Sequence, residues 1–282
     1  MIGIIDVGGG LRDIYGAGVF DRLLDDGVQI DYCIGVSAGS ANCASFVARQ
    51  RGRNLPFYTE YSARKEYMSA GNLLKTGSYL DLGYVYGTLS AEGGENPLDY
   101  DAMMENPTRL TIVATEGETG LPHYFDKREI PRNDYRFLMA SSSLPVACRP
   151  VEIDGKHYFD GGLADPIPIQ KAFDDGCEKL ILILTKPVDA PTSDRRDYIG
   201  AKVIGKKYPL AAAALLQMAQ KYKAGVARAQ QLQAEGKLLL IAPDDISGMK
   251  TLTKDTAVLT VLYDKGYADA EKIKAFCEAA HA

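Results

Sequence analysis

Long apolar runs are missing from this sequence. The longest, such as Leu180–Leu184 and Leu210–Leu216, fall far short of the ~18 residues that a membrane-spanning helix needs. No basic segment precedes the apolar N-terminal stretch, and Asp6 interrupts that stretch early, so we expect no secretory signal peptide. A cytoplasmic location is therefore predicted.

Basic runs are missing as well. The formal net charge is −5, and acidic and basic residues are mixed along the chain. Nucleic-acid binding needs a clustered positive surface, so we expect no nucleic-acid partner. The same charge disfavours strong electrostatic binding to anionic membranes, but it leaves transient contact with lipid open.

Cysteine and histidine are scarce and scattered. The five cysteines form no C-x-x-C pair, and no histidine cluster lies near them. Zinc sites need such spacings, so a metal site is not expected. An odd number of cysteines in scattered apolar contexts is typical of reduced, buried thiols in a cytoplasmic protein.

The sequence does contain short apolar runs that alternate with helical patterns. Ile2–Asp6 and Asp31–Val36 predict strands, and the small-residue segment Ala38–Ala48 predicts a helix after the second. Arg109–Ala114 and Lys179–Thr185 fit further buried strands. This alternation is the signature of parallel βαβ construction and predicts an α/β fold.

The remaining segments extend this pattern. Residues 55–105 are rich in tyrosine and glycine and predict helices and loops inserted into the sheet order, with tyrosines that serve as core residues or as an acyl-binding lid. Asp154-Gly155 predicts a hairpin turn. Pro209–Glu235 and Asp255–Ala280 predict helices, with a strand over Lys237–Ala242 between them. No linker or repeat separates these parts, which favours one domain with a C-terminal extension.

Ser37 is the first candidate for chemistry. It lies in Gly35-Val36-Ser37-Ala38-Gly39, between a predicted strand and a predicted helix. A nucleophile on such a turn exposes its hydroxyl, and flanking glycines relieve the crowding there. The positive end of the helix dipole favours a developing anion. A chance match is the alternative, but the strand–helix context favours a nucleophile.

A serine nucleophile needs a nearby base, and the chain has three histidines. His281 lies at the end of the chain, and His123 is expected on a half-exposed strand. A triad of Ser37, His157 and Asp160 stays open, although it lacks the Ser…Asp…His order of α/β-hydrolases. Asp160 can also act as the base directly, because two glycines after it let the backbone bend the carboxylate into a cleft. An ordinary Asp-Gly turn is the plainer alternative.

A glycine loop follows the first predicted strand. Gly8, Gly9 and Gly10 could converge their N–H groups on an anion, as in an oxyanion hole or a phosphate cradle. The dinucleotide fingerprint needs glycine where this chain has Asp13, and the Gly-Lys-Ser/Thr of a P-loop is absent. The loop therefore favours stabilisation of an acyl anion, with Arg12 shaping the loop or adding positive charge.

Taken in order, these elements resemble the patatin-like phospholipase family. Gly8–Arg12 is similar to that family's oxyanion loop, Gly35–Gly39 to its nucleophile elbow, and Asp160–Gly162 to its catalytic aspartate motif. Ala140–Pro145 and Gly162–Pro168 resemble the segments that flank the family's aspartate.

The resemblance implies a three-layer α/β/α sandwich with a mainly parallel central sheet. It divides the chain into a catalytic domain, residues 1–208, and an extension, residues 209–282, similar to one in a bacterial branch of the family. It implies a lipid or acyl-ester substrate, hydrolysed by Ser37 as nucleophile and Asp160 as base, with no metal or other cofactor. The N–H groups of Gly8, Gly9 and Gly10 would hold the oxyanion, and supporting roles would fall to Arg12, Gly35, Gly39, Gly161 and Gly162.

Asp13 departs from the family, which usually has glycine directly after the arginine. Its carboxylate could cap the following helix, or its negative charge could lie near the oxyanion and weaken it. The second outcome would favour a non-catalytic lipid-binding protein. An acyl transferase with the same two residues is a further alternative, since an acyl-enzyme can pass its acyl group to an alcohol.

Overall fold

A mixed sheet forms the centre of the computed structural model, which describes residues 1–191, 195–246 and 248–281. Its strands are β1 (Ile2–Asp6), β2 (Tyr32–Val36), β3 (Arg109–Glu116), β4 (Pro122–Asp126), β5 (Val151–Ile153), β6 (Lys156–Asp160), β7 (Lys179–Ile183) and β8 (Leu238–Ile241). The strand order is β5-β6-β3-β2-β1-β7-β8, and β4 also pairs with β3.

The sheet is mainly parallel. Every neighbouring pair from β3 through β2, β1 and β7 to β8 runs parallel, whereas the pairs β3–β4, β3–β6 and β5–β6 are antiparallel. The predicted hairpin turn is confirmed, since Asp154 and Gly155 connect β5 to β6 with φ of 50° and 77°. The α/β fold expected from the alternating pattern is likewise confirmed.

Helices surround the sheet. They are α1 (Ile14–Asp25), α2 (Ala38–Val47), α3 (Leu55–Thr59), α4 (Ala70–Thr76), α5 (Tyr100–Glu105), α6 (Arg136–Ser141), α7 (Ile169–Asp174), α8 (Arg195–Ile204), α9 (Pro209–Ala234), α10 (Thr256–Asp269) and α11 (Glu271–His281). Short 3-10 turns occur at Gly10–Asp13 and Gly161–Leu163, and a π-helical turn spans Gly83–Leu89. As predicted, helices and loops occupy residues 55–105, between β2 and β3.

The strands bury both of their faces. Along β1, Ile4 packs in a cluster that includes Leu23 of α1, while its neighbour Ile5 packs in a second cluster that includes Val226 and Ala229 of α9. Successive side chains of a strand point to opposite faces, so the two clusters lie on opposite sides of the sheet. This burial explains why the parallel strands are continuous apolar runs in the sequence.

The C-terminal residues complete both the sheet and one helical layer. β8 pairs with β7, and α10 packs so closely on α1 that a Cβ on Gly18 would lie 2.2 Å from the Tyr263 carbonyl oxygen. Tyr263 also donates a 2.6 Å hydrogen bond to Asp21 of α1. The single helix predicted over 255–280 is wrong: the chain turns at Ala270 into α11, which buries Ile273 in the core.

Candidate active site

Ser37 lies on a strained turn between β2 and α2. Its backbone has φ 56° and ψ −131°, a conformation that a residue with a side chain adopts at a cost of about 1–3 kcal/mol. The residue is 8% exposed, and its N–H donates a 2.9 Å hydrogen bond to Ser141 Oγ. Such strain is typical of functional sites, because the surrounding fold must hold it in place.

Two glycines make this turn feasible. A Cβ on Gly35 would lie 2.4 Å from Ser40 Cα, and a Cβ on Gly39 would lie 2.5 Å from the carbonyl oxygen of Asp6. Neither contact is sterically tolerable, since both involve backbone atoms. The glycines that the motif predicted as supporting residues therefore let α2 pack directly against β1 and β2.

Sheet register brings Asp160 beside Ser37. Val36 at the end of β2 is level with Val113 of β3, and the next residue of β3, Ala114, pairs with Asp160 at the end of β6. Both side chains thus emerge at the same edge of the sheet, where β2 and β6 end. The main chain of Asp160 is held by a 2.9 Å hydrogen bond from its N–H to the Ser143 carbonyl oxygen.

The carboxyl group of Asp160 is 3% exposed and is held at one oxygen. Oδ1 accepts a 2.8 Å hydrogen bond from the N–H of Gly162, and a Cβ on Gly161 would lie 2.3 Å from the Val113 carbonyl oxygen. Burial raises the pKa of Asp160 to about 6, although the nearby Ser37 hydroxyl and the Gly162 N–H both lower it. Oδ2 is buried and accepts no hydrogen bond of standard geometry from the part of the chain that the structure describes.

The histidines whose side chains are described have other contacts. His157 Nδ1 lies 2.8 Å from Glu118 Oε1, and its ring packs near that of Tyr208. His123 packs against the rings of Phe125 and Tyr158 on the strand predicted for it. The side chain of His281 lies outside the described part of the structure. These contacts give no support to the alternative triad through His157.

The glycine loop lies directly against Ser37. Gly8 has φ 70°, and a Cβ there would lie 2.3 Å from the Val36 carbonyl oxygen and 2.9 Å from Ser37 Cβ. Gly9 and Gly10 also have positive φ, of 146° and 62°. The loop is anchored on its other side by Thr185, whose hydroxyl donates a 2.6 Å hydrogen bond to the Gly8 carbonyl oxygen.

The amide groups of this loop are not equivalent. The N–H of Gly8 donates to Asp6 Oδ1 at 3.1 Å, and that of Leu11 donates to the Thr251 carbonyl oxygen at 2.8 Å. Within the described residues, the N–H groups of Gly9 and Gly10 donate to no acceptor. The structure thus departs from the prediction that all three glycine amides face an oxyanion, because the amide of Gly8 is already engaged.

Arg12 and Asp13 complete the loop. The guanidinium group of Arg12 runs beside Gly9, since a Cβ on that glycine would lie 3.5 Å from Arg12 Nη2. Asp13 is fully buried and makes no side-chain cap to α1, so the predicted helix cap is wrong. Burial, reinforced by the charge of Asp6, raises the pKa of Asp13 well above its usual value. The raised pKa favours the protonated form of Asp13 over the negative charge that the sequence suggested beside the oxyanion.

A mainly apolar cavity opens beside Ser37 and Gly10. Its enclosed volume is about 60 Å³, and it continues into space that is open to solvent. Its apolar and aromatic lining includes Phe57, Tyr58, Tyr67, Leu80, Leu82, Val85, Tyr86, Leu144 and Leu252. The tyrosine-rich segment thus supplies much of the wall, so its tyrosines are both core and lining residues.

Several residues of this site were missed by the sequence reasoning. Ser141 holds the amide of Ser37, and Ser142 shares a 3.1 Å hydrogen bond with the Tyr86 hydroxyl in the cavity wall. Both lie in the segment 140–145, whose resemblance to the family was the available signal. Asp6 and Thr185 hold the glycine loop, but no local pattern marked either residue.

None of the described helices combines the length and the apolar character that a membrane-spanning segment needs. The cysteines predicted as buried thiols are all buried and free.

Known proteins resemble this chain in sequence and fold. The uncharacterized protein YjjU of Escherichia coli is 28% identical over 191 residues, which cover 66% of this chain and 52% of YjjU. Lysophospholipase NTE1 of Cryptococcus neoformans is 27% identical over 203 residues, which cover 70% of this chain and 12% of that protein. The chain therefore matches about half of YjjU and a small part of NTE1.

The crystal structure of VipD from Legionella pneumophila shares the fold, with a TM-score of 0.50 at 12% identity over 98% of this chain and 66% of VipD. A family model for a domain of unknown function, DUF6363, matches residues 208–278. The family model for patatin-like phospholipase matches residues 7–173, which include the glycine loop, the Ser37 turn and Asp160. This chain belongs to the patatin-like phospholipase family.

Proposed function

We propose that this protein is a serine lipid acyl hydrolase, of the phospholipase A or esterase type, in which Ser37 and Asp160 form a catalytic dyad. The observation that carries the proposal is the buried carboxyl group of Asp160, which interacts with the hydroxyl of Ser37 on its strained turn and whose Oδ2 accepts no hydrogen bond of standard geometry from the described residues. Family membership supports the reaction class.

In the first half of the reaction, Asp160 accepts the hydroxyl proton of Ser37 as Oγ attacks the ester carbonyl carbon. The carbonyl oxygen becomes an oxyanion, and the free N–H groups of Gly9 and Gly10 are the donors available to it. One such preorganised donor contributes about 10²–10³ in rate. The carbon–oxygen bond of the ester then breaks, and the leaving alcohol takes the proton from Asp160.

In the second half, Asp160 accepts a proton from water as the water oxygen attacks the acyl-enzyme. The second oxyanion collapses, the Ser37 Oγ–acyl bond breaks, and Oγ regains the proton from Asp160. A base must be ionised to act, and a pKa of about 6 keeps most of Asp160 ionised at pH 7. The same pKa is high enough for the protonated form to serve as an acid.

The cavity supports an acyl chain as the part of the substrate that is bound. Its walls are mostly apolar next to Ser37, and the polar lining groups include Arg53 and Ser142. Arg53 is already engaged within the protein and is not placed to bind an anionic headgroup, because its guanidinium donates to the Ser45 and Ser90 hydroxyl oxygens at 2.9 Å each. We therefore assign the cavity to the hydrocarbon chain of the substrate and place any polar headgroup at its mouth.

Labelling with a fluorophosphonate tests the nucleophile. The wild-type protein should react, and Ser37→Ala should not, whereas Ser142→Ala, which changes another serine of the same cavity, should label as the wild type does. Equal labelling of Ser37→Ala and wild type would refute the assignment. Turnover of p-nitrophenyl esters should depend on Ser37 in the same way, and product analysis with added glycerol would reveal an acyl transferase by an acylglycerol product.

We further propose transient contact with a lipid surface through α4. Leu74 is 89% exposed and Leu73 is 45% exposed, and Lys75 follows them on the same short helix. Arg149 adds positive charge against the end of this helix, since a Cβ on Gly77 would lie 2.4 Å from its Nε. Leu80, which lines the cavity, pairs through a β-bridge with Met68 just before α4, so this apolar tip borders the site.

Residues 1–208 are proposed to act as the catalytic domain, with residues 209–282 as an extension that packs on it. The separate family match over residues 208–278 supports this boundary, and the extension joins the central sheet through the pairing of β8 with β7. A cytoplasmic location is also proposed, supported by five cysteines that are buried and free, since such thiols persist in a reducing compartment.

A further inference from the structure

Two fully buried acids, Asp6 and Asp13, meet behind the glycine loop. Their carboxyl groups converge on Gly16, where a Cβ would lie 2.6 Å from both Asp6 Oδ2 and Asp13 Oδ1. Asp6 accepts hydrogen bonds from the N–H of Gly8 and from Asn42 Nδ2, each at 3.1 Å. Asp13, in contrast, accepts none from an N–H or O–H group of the described residues.

This arrangement fixes where a proton must lie. Two carboxyl groups in buried contact cannot both be ionised, because their charges repel in a medium that screens them weakly. Asp6 already receives two hydrogen bonds, so it is suited to carry the charge. Asp13 is then the protonated partner, and its O–H donates to Asp6. The pKa values agree, because Asp13 lowers that of Asp6 while Asp6 raises that of Asp13.

We infer that Asp13 is a positioning residue that acts through its proton: it holds the Asp6 carboxylate, which in turn fixes the Gly8 amide and leaves the Gly9 and Gly10 amides free for the oxyanion. The same carboxylate binds Asn42 on α2, the helix that begins directly after Ser37. One hydrogen-bonded chain therefore sets the glycine loop relative to the nucleophile. This inference rests on the proposed function, since it assigns the two amides to an oxyanion.

The groups around the pair come from four elements. Arg12 of the glycine loop is the cation that lowers the pKa of Asp13. Cys43 of α2, Tyr58 of α3 and Tyr86 of the π-helical turn are the other titratable groups nearby, and burial raises the pKa of each. All three stay neutral around pH 7, so removal of the proton from Asp13 is the event that would place two like charges behind the loop.

The pH dependence of ester turnover tests the inference. In the wild type, kcat should fall at alkaline pH as Asp13 loses its proton and the pair is driven apart. Asp13→Asn keeps an N–H donor toward Asp6 at every pH, so it should retain activity and lose the alkaline fall. Asp13→Ala removes the donor and should lower kcat about 10- to 100-fold with little change in KM, because the loss concerns oxyanion donors. An unchanged alkaline limb in Asp13→Asn, or wild-type kcat in Asp13→Ala, would overturn the inference.

A second measurement needs no catalysis. The infrared difference spectrum between wild type and Asp13→Asn at pH 7.5 should contain the carbonyl band of one protonated carboxyl group. Absence of that band would refute the protonated Asp13 even in an active enzyme. Its presence in a protein without any esterase turnover would instead count against the proposed function and leave the acid pair standing.

Discussion

Replacement of Asp160 by asparagine should inactivate the protein and stabilise it at the same time. Burial raises the pKa of this carboxyl group from 3.8 to about 6, and at about 1.4 kcal/mol per pKa unit this corresponds to about 3 kcal/mol. Because the folded-state pKa is the higher one, stability is greatest below pH 3.8 and is lost as pH rises through about 6. The ionised Asp160 therefore costs about 3 kcal/mol at pH 8.

Asparagine keeps the shape of the side chain and its acceptor for the Gly162 N–H but carries no charge. Asp160→Asn should equal the wild type in thermal stability at pH 4 and exceed it at pH 8 by about 6 °C, taking about 2 °C per kcal/mol for a chain of this size. Turnover should fall about 10²–10⁴-fold, since the general base is lost. Thermal melts at the two pH values and a p-nitrophenyl ester assay measure both effects.

Ser37→Ala is the matched control. It removes the hydroxyl that lowers the pKa of Asp160 but leaves the buried carboxylate in place, so it should be inactive without a gain in stability at pH 8. A difference in melting temperature between Asp160→Asn and wild type that is the same at pH 4 and pH 8 would refute the buried charge. Turnover by Asp160→Asn close to the wild-type value would refute its role as base.

Three further predictions concern the pH profile, the Ser37 turn and the exposed helix α4. The kcat/KM of the wild type should rise with pH through about 6 to a plateau that ends only at the alkaline fall expected from Asp13, because Asp160 must be ionised to accept the serine proton. Gly39→Ala should lower the free energy of unfolding by about 1–3 kcal/mol or more and abolish turnover, since its Cβ would lie 2.5 Å from a backbone oxygen of β1. Gly71→Ala, in open helical surroundings, should be neutral or stabilise by up to about 1 kcal/mol. Leu74→Glu should weaken binding to phosphatidylglycerol vesicles in a sedimentation assay and leave turnover of a water-soluble ester unchanged, whereas Val261→Glu, at another exposed apolar site on α10, should change neither.

Local patterns predicted the parts of the fold that depend on local physics. The strands β1 and β2 and the turn at Ser37 follow from apolar runs that end at glycine-rich turns, and each was found where the pattern lay. The hairpin at Asp154-Gly155 depends only on the backbone freedom of those two residues. Such features are decided by neighbours in sequence, so they can be read without knowledge of the tertiary structure.

The errors arose where distant residues decide the outcome. Thr185 was expected to end a strand, but β7 stops at Ile183 and the Thr185 hydroxyl binds the Gly8 carbonyl oxygen instead. The helix expected over 255–280 turns at Ala270, because its two halves bury different side chains against the core. The engagement of the Gly8 amide depends on where Asp6 points, which a glycine-rich pattern does not reveal.

Asp13 illustrates how burial can change the chemical role expected of a residue. At the level of sequence, an aspartate beside an oxyanion loop is a negative charge that opposes catalysis. Full burial next to a second acid raises the pKa of Asp13, and in the arrangement that we infer it is a neutral hydrogen-bond donor to Asp6. In that arrangement, the residue that departs from the family pattern supports the oxyanion loop instead of opposing it.

Two acids near the site have a pKa of about 6, so the acid limb of the pH profile must be assigned to one of them. Asp6 would produce such a limb by releasing the Gly8 amide when protonated, and Asp160 would produce it by failing to accept the serine proton. Asp13→Ala separates the two, because it removes the donor that lowers the pKa of Asp6 but makes no contact with Asp160. If the limb belongs to Asp160, it should stay near pH 6 in Asp13→Ala at reduced kcat. If the acid limb moves to higher pH in Asp13→Ala, it belongs to Asp6. The protonation of Asp160 would then not limit turnover near pH 6.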